Sequence, residues 1–233
     1  MLRWPTPHLG WRDRLLFRGL AALATRQVRS AKGLENIAPD RDPFILAPNH
    51  GTWGEAVLVP SLIFVFRGGK LVHFLADWNF RIVPGIGYLF RRARVVTIAR
   101  KESKPKFLTV FRRFYQHKVP PMERARAHLL AGRPIGIFPE GGVNRDSKRL
   151  LIGRLGMARL SLETGVPVVP VGIRYPDIDR DKPTPENATM EIEIGEAMTP
   201  PECSTPPTAG EVRRWHAAVM GEIARLSGKH WGR

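Results

Sequence analysis

Two short stretches hold side chains able to move protons. Pro48-Asn49-His50-Gly51-Thr52-Trp53-Gly54-Glu55 sets an imidazole five positions ahead of a carboxylate. A carboxylate beside a histidine fixes its tautomer and stabilises the imidazolium formed on proton abstraction, which is what a general base needs. The same residues also fit a capping box, with Glu55 three positions after Thr52 reaching back to a helix N-terminus. The spacing leaves both readings open. Phe138-Pro139-Glu140-Gly141-Gly142 supplies a second carboxylate and two glycine amides where a phosphate or an alcohol could dock, or forms a tight turn and nothing more. No serine nucleophile is expected, because no G-x-S-x-G elbow occurs. Cys203, the sole cysteine, lies in a proline-rich stretch, and no second histidine stands at metal-ligand spacing from His50.

Both stretches follow apolar runs that read as strands. Pro43 to Ala47 leads into the His50 turn, and Pro134 to Phe138 leads into the Glu140 turn. Between and after them strand and helix patterns alternate. Leu71 to Ala76, Val95 to Ala99 and Val166 to Ile173 predict strands. Glu55 to Phe66, Pro84 to Arg91, Met122 to Ala131, Arg154 to Thr164 and Glu211 to Leu226 predict helices. Thr189 to Ile194 alternates like an edge strand. The alternation argues for an α/β fold: a single domain with a mixed, largely parallel central sheet flanked by helices. Ligands of open α/β sheets sit beyond the strand C-termini, so the turns after these runs are where chemistry is expected.

The chain has 233 residues, with 37 Lys and Arg against 21 Asp and Glu, a formal charge of +16. Hydrophobic residues make up 43% and are spread along the whole length, which excludes a disordered chain. One cysteine excludes a disulfide scaffold and a zinc ribbon. From Phe64 to Arg113 there are 12 Lys or Arg and 2 acids, a surface suited to polyanions or anionic lipid. No finger spacing, RNP-type motif or helix-turn-helix accompanies the charge, so no specific nucleic acid partner is expected.

The longest uncharged apolar run, Ala56 to Phe66, is far below the about 20 residues of a membrane-crossing helix. Neither that run nor the first residues has the form of a transmembrane or signal segment. Residues 1–29 read as an N-terminal amphipathic helical segment and 30–233 as the main domain. In a helix from Trp11 to Thr25, Leu16, Leu20 and Leu23 share one face, with Phe17 flanking it and Trp4 and Trp11 near one end. That stripe suits packing on the core or lying at a lipid interface equally well.

Four blocks in order carry a resemblance. Pro48-Asn49-His50 to Glu55, Gly87 to Arg100, Ile137 to Gly141 and Val166 to Gly172 resemble the 1-acylglycerol-3-phosphate acyltransferase (lysophospholipid acyltransferase) family, over about Ser30 to Ile194. The resemblance implies an enzyme that moves a fatty acyl group from acyl-CoA or acyl carrier protein to a lysophospholipid hydroxyl, with no cofactor. It implies His50 as general base and Glu55 as the acid that orients it. Arg100, Glu140 and Gly141 would bind the glycerol phosphate, with Arg94 or Lys101 assisting, and Val169-Pro170 would be structural. An acyltransferase of lysolipids without a membrane span is expected to be cytoplasmic and peripheral on the anionic inner face of the cell membrane.

The chain departs from that pattern in three places. The family acid is usually Asp, and Glu55 adds a methylene. The third block usually continues Thr-Arg-Ser; here Gly142-Val143-Asn144 follows, and Arg145 is the candidate replacement for the missing arginine. F-P-E-G-x-V-N is also similar to the transacylase branch that includes tafazzin. A basic stretch, Lys101 to Pro121, lengthens the gap between the two turns. The competing readings are an acyltransferase or transacylase with a non-glycerolipid or other lysolipid acceptor, and a non-catalytic module binding anionic lipid or nucleic acid.

Overall fold

The computed structural model describes residues 10–83, 85–99, 102 and 106–232. A helix, α1 (Trp11–Gln27), runs straight into strand β1 (Val28–Lys32). Then come β2 (Ile45–Pro48), α2 (Glu55–Phe66), β3 (His73–Asp77), α3 (Ile86–Arg92) and β4 (Val96–Ile98). The second half holds α4 (Pro121–Leu130), β5 (Ile135–Gly136), α5 (Gly156–Thr164), β6 (Val168–Arg174), β7 (Met190–Ile194) and α6 (Ala209–Ser227). The strands form one seven-stranded sheet in the order β1-β7-β6-β2-β5-β3-β4. All its neighbours run parallel except β6 and β7. The mixed, largely parallel α/β sheet expected from the alternation is what forms.

Strand alternation explains why helices cover both faces. Ile45 and Ala47 of β2 point into one core with residues of α4, α5 and α6, while Leu46 points into another with Val59, Leu62 and Ile63 of α2. Helix ends obey local chemistry. The side chain of Thr208 and that of Glu211 complete a capping box on α6, and Gly165 ends α5 in a left-handed conformation.

Several boundaries differ from the sequence expectation. The strand expected over Pro134 to Phe138 shrinks to Ile135–Gly136, between one proline without an N–H and another at 139. Thr189 to Ile194 forms a strand but not an edge, because β1 pairs along its outer side, Val28 opposite Met190. In β1 only Val28 is buried, and the run Val-Arg-Ser-Ala-Lys shows no apolar alternation to betray it. The apolar stripe of α1 also shifts. Phe17 and Ala21 are its buried contacts against Phe64 and Val65 of α2, Leu16 and Leu20 are only partly buried, and Leu23, Trp11 and Leu15 are exposed. Trp4 and Pro84 lie outside the described residues.

Candidate active site

β2 and β5 are parallel neighbours, so the His50 and Glu140 turns leave the sheet side by side. Asn49 fixes the first turn. Its side-chain amide donates to the Ile173 carbonyl at 3.1 Å, and its Oδ1 accepts from the Ile173 N–H at 2.6 Å. It thus extends the pairing with β6 after the strand has ended. Sequence reasoning passed over Asn49, whose signal is its place directly before the histidine.

His50 is held from four sides. Its Nδ1 lies 3.1 Å from Glu55 Oε2, and the same oxygen accepts from the Gly51 N–H at 2.8 Å. Its own N–H donates to Glu140 Oε1 at 2.9 Å, and its carbonyl accepts from the Asn144 N–H at 2.7 Å. Its ring stacks on Phe138, with centroids 4.3 Å apart. An ionised carboxylate only accepts, so beside ionised Glu55 the ring proton sits on Nδ1 and Nε2 keeps its lone pair.

The capping box considered for this turn does not form. The cap of α2 is Gly54 with no side-chain bond, and Thr52 Oγ1 is buried without a partner. The carboxylate of Glu55, fully buried, meets the imidazole as well as the backbone N–H groups of the turn. Burial pushes its pKa above the ordinary 4.5, and the bonds from His50 and the backbone pull against that rise.

Glu140 is likewise buried, and both its oxygens are engaged. Besides the His50 N–H, its Oε2 accepts from Asn144 Nδ2 at 2.8 Å and from the Leu151 N–H at 2.9 Å. Phe138, Glu140 and Asn144 therefore form one cradle for His50: a ring against its ring, a carboxylate on its N–H and an amide on its carbonyl. Asn144 was named in the sequence only as part of a departure from a family pattern; its position in F-P-E-G-G-V-N is the signal.

A cavity of about 710 Å³ opens beside this cradle. Its wall is mostly apolar, with Val57, Pro60 and Phe64 of α2, Phe74 of β3, Phe80, and Leu89 and Phe90 of α3. The apolar run after Glu55 thus serves both the core and the cavity wall. His50, Gly141, Gly142 and Val143 line the cavity too, along with Asp77, whose side chain accepts from the Asn79 N–H at 3.1 Å. Among the described lining residues Arg154 is the one lysine or arginine. It lies against Gly141, where a Cβ would come within 2.5 Å of its Nε; φ of +74° at Gly141 also favours glycine there.

The expected cations fall elsewhere. Arg145 pairs with Glu186, and neither it nor Arg94 or Glu140 lines the cavity. Arg94 is exposed, with φ of 49°, and its carbonyl lies 3.3 Å from His73 Nδ1. Arg100 and Lys101 lie outside the described residues. Val169 and Pro170 sit in β6, paired with Leu46 and Ala47. Sequence reasoning missed Arg154, which lies 14 residues past Glu140 with no motif around it.

No curated protein sequence matches the chain at a significant level. The fold is similar to the crystal structure of the 1-acyl-sn-glycerophosphate (LPA) acyltransferase PlsC from Thermotoga maritima. The TM-score is 0.61 and the identity 21%, over 97% of this chain and 86% of that one. A family model described as Acyltransferase matches residues 29–174. That span takes in well over half the residues and every turn that touches His50, and on this ground the chain belongs to the acyltransferase family.

Proposed function

We propose that this acyltransferase moves a fatty acyl group from an acyl thioester, acyl-CoA or acyl carrier protein, to the free hydroxyl of a lysophospholipid of the 1-acylglycerol-3-phosphate type. The observation that carries the reading is the His50–Glu55 pair facing a large apolar cavity whose wall includes Arg154. The volume falls within the roughly 300–1,000 Å³ usual for small-molecule sites, and its apolar wall suits an acyl chain.

In the proposed reaction the acceptor hydroxyl hydrogen-bonds to His50 Nε2. As its oxygen attacks the thioester carbonyl, the proton passes to Nε2 and Glu55 stabilises the imidazolium. The new C–O bond forms, the C–S bond breaks, and the departing sulfur takes the proton back from the ring. Neither serine nor cysteine is acylated. Arg154 is proposed to bind the acceptor phosphate, a planar donor suited to that group, with Arg100 two residues past β4 as a second cation. Glu140 is proposed as a positioning residue acting through the backbone of His50, and Gly141 as the close approach that lets Arg154 reach the cavity. The +16 chain is proposed to work on the anionic inner surface of the cell membrane. Among the described residues no helix is long and apolar enough to cross a membrane.

The test is mass spectrometry of products after the purified chain meets acyl-CoA, acyl carrier protein or phospholipid donors with a panel of lysolipids. Diacylated phosphatidate from a thioester donor is expected, and His50→Ala is expected to lower kcat by about 10²–10⁴-fold at unchanged Tm. Turnover retained in His50→Ala overturns the general base. Product formed only from a phospholipid donor makes the enzyme a transacylase, and product only with acceptors lacking phosphate overturns the acceptor class.

A further inference from the structure

The segment Lys106–Tyr115 is a 3₁₀ helix of ten residues, none of them buried. With three residues per turn its side chains fall into three columns. One column is Lys106, Thr109, Arg112 and Tyr115; the other two are Phe107, Val110 and Arg113, and Leu108, Phe111 and Phe114. In a surface helix the polar column should face water. Here Thr109, Arg112 and Tyr115 of the polar column are partly buried, together with Leu108 alone of the apolar residues, and Tyr115 stacks on Trp78 at 5.8 Å. Phe107 is 73% exposed, Phe114 66%, Val110 57% and Phe111 43%. The apolar side is turned outward.

Three further observations say what covers it. Lys106, Arg112, Arg113 and Lys118 stand in this stretch with no acid between them. The guanidinium of Arg113 lies 4.9 Å over the Phe114 ring, so cation and aromatic share one surface. The segment also sits beside the cavity's edge. Trp78, under Tyr115, opens the 3₁₀ turn Trp78–Ile82, whose Phe80 lines the cavity and packs 5.2 Å from the half-exposed Trp53. Aromatic and basic side chains together on an outward face, with no acid, match the boundary of an anionic bilayer: apolar rings among the acyl chains, cations among the head groups.

We propose that Lys106–Tyr115 is the element by which this chain docks on an anionic lipid surface, setting the edge of the acyl cavity against the bilayer. The assignment of the surface stands on exposure and charge; only the purpose given to it rests on the lysolipid acyltransferase reading.

The experiment is flotation of the full chain with vesicles of phosphatidylcholine alone or mixed with phosphatidylglycerol. It compares wild type with Phe111→Asp/Phe114→Asp and with Lys106→Gln/Arg113→Gln. Wild type should float with the anionic vesicles only. The aromatic double variant should lose at least about tenfold in partitioning, since each ring is removed from the apolar layer, and the charge variant should bind more weakly at low salt and lose less as salt rises than wild type does. Both variants should keep wild-type Tm and turn over detergent-dispersed substrate as wild type does, because none of the four residues lines the cavity. Unchanged flotation of both variants overturns the proposal. So does loss of a wild-type dimer in the aromatic variant with no vesicle binding in wild type, or retention by an acidic carrier protein in place of vesicles. Flotation lost in the variants while no lysolipid is ever acylated leaves the docking element standing and removes the function proposed above.

Discussion

The cradle around His50 and the strip from Phe107 to Phe114 break the inside-outside rule in opposite directions. In the first, two carboxylates, an imidazole and two asparagine side chains are buried. In the second, four large apolar side chains stand in water. Buried polar groups are tolerated where partners satisfy them, and the cradle supplies a partner for nearly every one; exposed apolar groups persist where a partner is external. The contrast teaches that function is found where burial and polarity disagree, and that the sign of the disagreement separates a site of chemistry from a site of contact.

Three changes to the cradle and its cavity probe that contrast. The largest effect is expected for Glu55→Gln, which keeps the shape and loses the charge proposed to steady the imidazolium: kcat should fall about 10²-fold or more. Stability should respond the other way. A carboxyl whose folded pKa is raised binds its proton more tightly in the native state, so wild type loses stability as pH climbs from 4.5 through that raised value. Glu55→Gln has no such loss, and its Tm at neutral pH should equal or exceed wild type. A Tm falling with kcat would make Glu55 a structural residue and the cradle merely a core.

Glu140→Gln comes next. One of its three N–H donors would meet an amide NH₂ in place of an acceptor, so a loss of about 1–3 kcal/mol is expected in denaturant unfolding. KM should move less than kcat if the residue acts, as proposed, through the His50 backbone; a rise confined to KM would make Glu140 a substrate ligand. The smallest effect is expected for Arg154→Ala, about a tenfold rise in KM for a phosphate-bearing acceptor, with kcat and Tm near wild type. An equal rise for an acceptor without phosphate would show that Arg154 acts by packing.

The fold was largely legible because the strands at its centre are short apolar runs set between turn residues, and Val166 to Ile173 could hardly be anything else. β1 was not legible, since Val28 alone of its five residues is buried and the strand therefore presents no apolar face. In the site, His50 and Glu55 were legible as a pair but not as an orienting contact: the three residues from Thr52 to Glu55 fit a cap as well, and what separates the two is the Glu55 contact with the ring and a Thr52 hydroxyl that makes no bond to the helix N-terminus. Glu140 was visible as a carboxylate in a glycine turn, while its engagement by backbone N–H groups at 50 and 151 depends on tertiary closure. Arg145 and Arg154 differ in sequence only by nine places. Glu186 neutralises the first, and a glycine without a Cβ makes room for the second.

The pairing of Val28 with Met190 has a consequence during synthesis. Val28 leaves the ribosome 162 residues before Met190, the residue that it pairs with. Until then the nascent chain carries an open strand edge, a form open to chaperones and to premature association. Completion of the sheet has to wait for the synthesis of Ile194, and the docking of Asn49 on β6 for that of Ile173.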